Sequence, residues 1–179
     1  MRRGATPLPR RTVGAYYTTP GLPSSTASPT LNRLRLVPFD NDRASKFDRI
    51  ASEVTGLGAG ATLRWVVYSD NGRGYPGALV LDTGAVGDAS TTGVKEATVS
   101  LTLAARRYWV GCIVQGTDST LRVHSGATAE ALGSPLSSLG GTTGALGHFS
   151  SNITGAAPGA FPADAPATSQ APMVWLRKS

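Results

Sequence analysis

The chain carries a single cysteine, Cys112, in 179 residues. That excludes an internal disulfide, and with only two histidines, His124 and His148, on separate segments, it leaves too few ligands for a zinc site. Acidic residues are scarce, eleven in all. Asp40/Asp42 and Asp70/Asn71 offer oxygen ligands, but neither pair has the ordered spacing of a calcium loop, and Asx residues ahead of glycine make turns. No stretch approaches the roughly 18 uninterrupted apolar residues of a membrane span. The N-terminal arginines are followed by no apolar core, so a secretory signal is not expected. Glycine runs bind no phosphate here: residues 56–60 have the wrong spacing for a dinucleotide fingerprint and lead into a strand, and Gly72-Arg73-Gly74 lacks the Lys-Ser/Thr of a P-loop. There is no Gly-x-Ser-x-Gly elbow, and no carboxylate pair that the sequence marks as perturbed. The expectation is a protein that is not an enzyme and holds no cofactor and no metal.

What is present is turn chemistry and alternation. Twenty-two glycines and twelve prolines, with only 16% charged residues, fit an all-β chain. Residues 61–114 read as four strands, ATLRWVVYSD, GALVLDTGAV, KEATVSLTL and RRYWVGCIVQ. Leu63, Trp65 and Val67 alternate with Arg64, Val66 and Tyr68; Ala97, Val99, Leu101 and Leu103 alternate with Glu96, Thr98, Ser100 and Thr102; Trp109, Gly111 and Ile113 share a face. The joints are Asp70-Asn71-Gly72, Tyr75-Pro76-Gly77, Thr83-Gly84 and Thr92-Gly93. Residues 30–38, 46–55, 120–124 and 172–178 supply further strands, about eight in the body. Their spacing predicts an antiparallel β-sandwich of jelly-roll type with long loops, in which residues 31–38 lie beside residues 172–178. Trp65 and Trp109 have core phases, whereas Tyr68 and Tyr108 fall opposite them, toward solvent or an inter-subunit face. Cys112, in an apolar strand, reads as a buried small hydrophobe. Residues 126–171 have few apolar anchors; residues 127–132 offer at most one helical turn before Gly133 and Pro135.

The pI near 10 comes from one end. Six of the 17 basic residues, Arg2, Arg3, Arg10, Arg11, Arg33 and Arg35, precede the first acid, Asp40, and the remaining eleven match the eleven acids. A basic lead-in on a neutral body argues for docking through that lead-in and against a nucleic-acid-binding face on the body. Residues 1–29 therefore read as a Pro- and Arg-rich docking arm and linker, with a short strand at residues 15–19, and residues 30–179 as the sandwich. The arm has two readings: Arg2, Arg3, Arg10 and Arg11 touch nucleic-acid phosphates, or they thread into an acidic groove of a neighbouring protein with Tyr16 and Tyr17 as apolar anchors. The second suits a small module hung from an arm.

The run Phe47-Asp48-Arg49-Ile50, then Leu63-Arg64-Trp65-Val66-Val67-Tyr68-Ser69-Asp70-Asn71-Gly72, Tyr75-Pro76-Gly77-Ala78-Leu79 and Leu81-Asp82-Thr83-Gly84 has an order that resembles a known module. Tyr108-Trp109-Val110 and the ending Phe161-Pro162-Ala163 followed by Ala171-Pro172 continue it. Over about residues 30–179 the chain resembles the jelly-roll module of tailed-bacteriophage virion proteins of the minor tail or tail-fibre type. The resemblance implies a virion structural protein that is a homo-oligomer, a trimer first, with host-surface attachment as its external task. A capsid decoration or head-fibre protein and a stand-alone carbohydrate-binding module are the alternatives. If the chain meets a host glycan, the expected contacts are Tyr75, in an exposed turn, and residues 140–161, with His148 and Phe149.

Overall fold

The computed structural model describes residues 11–19, 24–124, 147–162 and 170–179 in full and the backbone of residues 166–167. The expected helical turn at 127–132 lies outside these residues. All regular structure among them is strand: β1 (Tyr16–Tyr17), β2 (Ser24–Ala27), β3 (Leu34–Asn41), β4 (Ser45–Gly56), β5 (Thr62–Asp70), β6 (Pro76–Asp88), β7 (Gly93–Leu103), β8 (Arg106–Gln115), β9 (Thr120–His124), β10 (Gly147–Ser150), β11 (Pro166–Ala167), β12 (Ala171–Pro172) and β13 (Trp175–Lys178). No helix of the described residues is long and apolar enough to cross a membrane. Every pairing is antiparallel.

The strands form two sheets. One has the order β11-β10-β3-β8-β5-β6; in the other β4 is central, flanked by β7 on one edge and by β13 and β9 on the other, with β1, β2 and β12 added outside. The chain is an all-β antiparallel sandwich. The strand order departs from the expectation that residues 31–38 pair with residues 172–178. β3 pairs with β8 and β10, whereas β13 pairs with β1 and β4 in the opposite sheet. The outer strands of the six-stranded sheet are instead β6 and β11.

The main core lies between the sheets. Phe39, Leu63, Trp65, Val67, Val110 and Cys112 from one side meet Phe47, Ile50, Val54, Leu101, Leu103, Leu121 and Leu176 from the other. Leu63 and Trp65 are fully buried and Leu101 nearly so, as the alternation required. Among the polar links between the sheets, one is built on Trp65. Trp65 Nε1 donates to Ser52 Oγ at 2.9 Å, and Ser52 Oγ donates onward to the Met173 carbonyl at 2.8 Å, so no polar atom of the trio is left dry. Burial pushes the Cys112 thiol up to about 12, which keeps it protonated and unreactive at neutral pH.

A second apolar cluster sits on the outer face of the six-stranded sheet: Leu34, Leu36, Val66, Tyr68, Trp109 and Ile113. Residues 151–162 run over it as a strap, packing Ile153, Ala157 and Phe161 onto it. Its backbone is pinned by polar groups of the sheet. Asp82 accepts from Ala157 N (3.0 Å), Gln115 Nε2 donates to the carbonyls of Ile153 and Gly155 (2.8 and 2.9 Å), and the Tyr68 hydroxyl donates to Pro158 O (2.7 Å). This sheet is thus buried on both faces, which corrects the expectation for Tyr68 and Tyr108. Tyr68 is sealed under the strap, and Tyr108 faces the inter-sheet core; both are buried.

Two further readings change. Thr83-Gly84 is not a joint between strands but an irregularity inside β6, where the register shifts between Arg64 and Val66 and Gly84 takes φ 73°. Residues 24–27, expected as linker, form β2 and pair with β9.

Candidate functional site

The short segment between β5 and β6 is held rigidly. Gly72 and Gly74 adopt φ 86° and 77°, a region that only glycine enters freely. Asp70 Oδ1 accepts from both their amides (2.7 and 3.3 Å), Asn71 Oδ1 accepts from Arg73 N (2.8 Å), and Asn71 N donates to Tyr75 O (2.9 Å). Asp70 Oδ2 accepts from Trp109 Nε1 at 3.0 Å, tying the turn to the second core. Both Asp70 oxygens therefore serve protein donors. Asp40 is likewise occupied, by Arg107 at 2.7 and 2.9 Å. Among the described residues no group of three or more His, Cys, Asp or Glu is arranged to hold a metal ion.

This turn presents Tyr75, 54% exposed, above His148. The two ring centroids are 4.6 Å apart at an interplanar angle of 36°. His148 is in turn backed by Trp109 at 5.2 Å and Phe161 at 6.4 Å, and Phe161 packs edge-on to Tyr68 at 5.7 Å. Between the turn and the strap opens a cleft of about 440 Å³, lined by Asn71, Arg73, Tyr75, His148, Phe161 and Pro162 among others. Burial depresses the pKa of His148, so its imidazole is neutral at pH 7. Its Nε2 is buried and finds no hydrogen-bond partner.

Two of the three expected glycan contacts, Tyr75 and His148, are thus brought together by elements 73 residues apart in sequence. Phe149 is not. One position along β10, its side chain takes the opposite face, and Arg33 stacks over its ring at 4.8 Å. Phe161, at the end of the expected segment, joins the cleft; residues 140–146 of that segment lie outside the described residues. Sequence reasoning did not single out Asn71, Arg73 and Pro162 as cleft residues. The only signal for the first two was their place in the turn that carries Tyr75.

The expected docking residues divide differently. Arg2, Arg3 and Arg10 lie outside the described residues. Arg11 and Tyr17 are engaged within the chain rather than free to dock. The Arg11 guanidinium donates to Asn41 Oδ1 (2.6 Å) and Asp40 O (2.8 Å) and lies over the Phe39 ring at 4.7 Å, with Tyr17 at 5.3 Å. Tyr17 packs against the main core, because β1 pairs with β13. Tyr16 points to the other face, 39% exposed. There its hydroxyl bonds to Glu96 and its ring helps to wall an apolar hollow of about 260 Å³ with Trp175, Ala51 and Val94. The hollow has few polar groups with which to orient a ligand; the Tyr75 cleft has an aromatic surface, an amide and a guanidinium in one place. No protein-family model matches the chain, and no curated protein matches it.

Proposed function

We propose that this chain is a non-enzymatic structural protein of a tailed-phage virion, of the minor tail or tail-fibre type, whose sandwich presents a saccharide-binding cleft to the host surface. The resemblance of its strand and turn residues to that module supports the virion assignment, and the two-sheet sandwich is compatible with it. The observation that carries the binding role is Tyr75: a half-exposed ring fixed on a hydrogen-bonded turn, beside hydrogen-bonding side chains and over an aromatic floor. A sugar offers an apolar C–H face and a rim of hydroxyls, and such a surface matches both. The arm, through Arg2, Arg3 and Arg10, is assigned to docking on other virion proteins, with a homotrimer as the assembly.

A panel of bacterial surface polysaccharides, presented to the purified chain, tests the binding role. Retention on at least one, lost in Tyr75→Ala, is expected; no retention on any overturns it. Antibody against the chain should label the tail of the parent virion, and label on the capsid would instead favour a decoration protein. Light scattering after size exclusion should give three times the chain mass. The engagement of Arg11 and Tyr17 within the body favours a second reading, a self-contained carbohydrate-binding module, for which the same saccharide retention is expected from a monomer.

A further inference from the structure

Eleven of the chain's arginines lie among the described residues. Ten of them have an intramolecular partner for the guanidinium. Arg43, Arg49, Arg64, Arg107, Arg122 and Arg177 pair with carboxylates. Arg11, Arg33 and Arg35 donate to oxygens of the chain, and Arg106 donates to the Tyr108 hydroxyl at 3.0 Å. Arg73 alone among them makes no ion pair, hydrogen bond or ring contact with a described residue through its guanidinium, and it stands at the rim of the Tyr75 cleft. Its backbone is nevertheless fixed by the Asn71 side chain at 2.8 Å, so its root is held in place without being drawn into the fold. An unpaired guanidinium over a cleft is a fork of donors for a planar anion. The acid nearest in sequence, Asp70, is turned away into the amides of Gly72 and Gly74 and the indole of Trp109. The floor beside Tyr75 is formed by the His148 ring, 4.6 Å away, and by Phe161.

We infer that the cleft is built for an acidic saccharide, one whose sugar carboxylate meets Arg73 while a ring face stacks on Tyr75. The inference rests on the saccharide-binding reading above and adds the ligand's charge and the residue that reads it. Arg73 supplies the discrimination between acidic and neutral sugars; Tyr75 supplies contact common to both.

The test is calorimetric titration of the full chain with oligomers of galacturonate, glucuronate and mannuronate, each beside its own methyl ester, which keeps the sugar and removes the charge. At least one acid should bind about tenfold or more tightly than its ester, the scale of one charge-assisted bidentate contact. Arg73→Gln should bring acid and ester to within about twofold of each other, and Tyr75→Ala should abolish both. Both positions are on an exposed turn, and an unchanged circular dichroism spectrum and melting temperature confirm that the variants fold. Equal affinity for acid and ester, or a preference that survives Arg73→Gln, overturns the inference and leaves the saccharide reading standing. Binding of neither form of any oligomer overturns the inference, and the polysaccharide panel then decides separately whether the wider reading survives. Binding that is indifferent to Tyr75→Ala removes the ligand from this cleft and overturns both.

Discussion

His124 closes β9 with its side chain fully buried, and neither ring nitrogen has a hydrogen-bond partner. Burial drives its pKa down to about 4 from the usual 6.5. A depressed pKa means that the unfolded chain takes up the proton first. The stability His124 confers is complete above pH 6.5 and is lost as pH falls through that value toward 4. The unfolding free energy from denaturant titrations should fall by an amount on the order of 3 kcal/mol between pH 7 and pH 4, and His124→Leu should flatten most of that slope. His148 is shifted in the same direction, also by burial, so some slope remains in the variant. Gly111 is a second residue whose environment decides its identity. An added Cβ would lie 2.2 Å from the Arg35 carbonyl oxygen and 2.8 Å from Leu36 Cδ2. Because the nearer atom is backbone in a central strand, the clash cannot be relieved by a rotamer change. Gly111→Ala should cost about 2–3 kcal/mol, read from the denaturant midpoint at constant slope.

At the scale of elements, the strap of residues 151–162 depends on a polar chain that starts in β5. Arg64 meets both Asp82 oxygens at 2.7 Å and reaches Gln115 Oε1 at 3.2 Å, while Asp82 and Gln115 hold the strap. Burial works to raise the Asp82 carboxyl, but the amides of Ala157 and Gly84 and the Arg64 guanidinium hold it below the usual carboxylate range. Asp82→Ala leaves Arg64, mostly covered, without its counter-charge, and should destabilise by about 2 kcal/mol. Hydrogen exchange should localise the damage, with amides of residues 153–161 losing protection before those of β8. The β1 segment is a second such element. Arg11→Ala removes the two hydrogen bonds to β3 and the stacking on Phe39, an expected loss of about 1–2 kcal/mol, and exchange should rise at Gly14, whose amide bonds to Lys178 O at 2.7 Å.

Across the whole molecule, the two sheets are joined mainly by apolar packing, with buried polar links that include Trp65–Ser52–Met173 near the middle and the Asn41 amide on the Leu103 carbonyl at 3.0 Å. Ser52→Ala leaves the indole N–H and the Met173 carbonyl buried without partners, an expected cost of about 2 kcal/mol. Because this link spans the sandwich, the loss should appear as one transition, superimposable by near- and far-ultraviolet circular dichroism. β6 and β7 form neighbouring sheet edges on one side of the sandwich, each with one strand neighbour among the described residues. β6 has four register shifts against β5, and β7 turns Glu96, Thr98, Ser100 and Thr102 outward. Bulges and polar side chains blunt edges against strand addition.

Strand identity was legible residue by residue. Arg106–Gln115 and Thr120–His124 are strands with the boundaries their sequence predicts, because alternation and Gly or Asx turns act over a few residues and need no partner. The inward residues Leu63, Trp65 and Leu101 follow from the same period. Sheet membership did not follow: the pairing of β3 with β8 and β10, and of β13 with β4, depends on contacts between residues far apart in the chain, which local patterning does not encode. Nor did the second core. Alternation marks one face for solvent, and only the strap, folding back from beyond β10, makes Tyr68 interior and sets Trp109 beside it rather than beside Trp65. For the same reason the sequence could nominate Tyr75 and His148 singly but not as neighbours, nor give Arg73 a role. Its freedom is visible only when every other described guanidinium has been seen to find its partner through the tertiary fold.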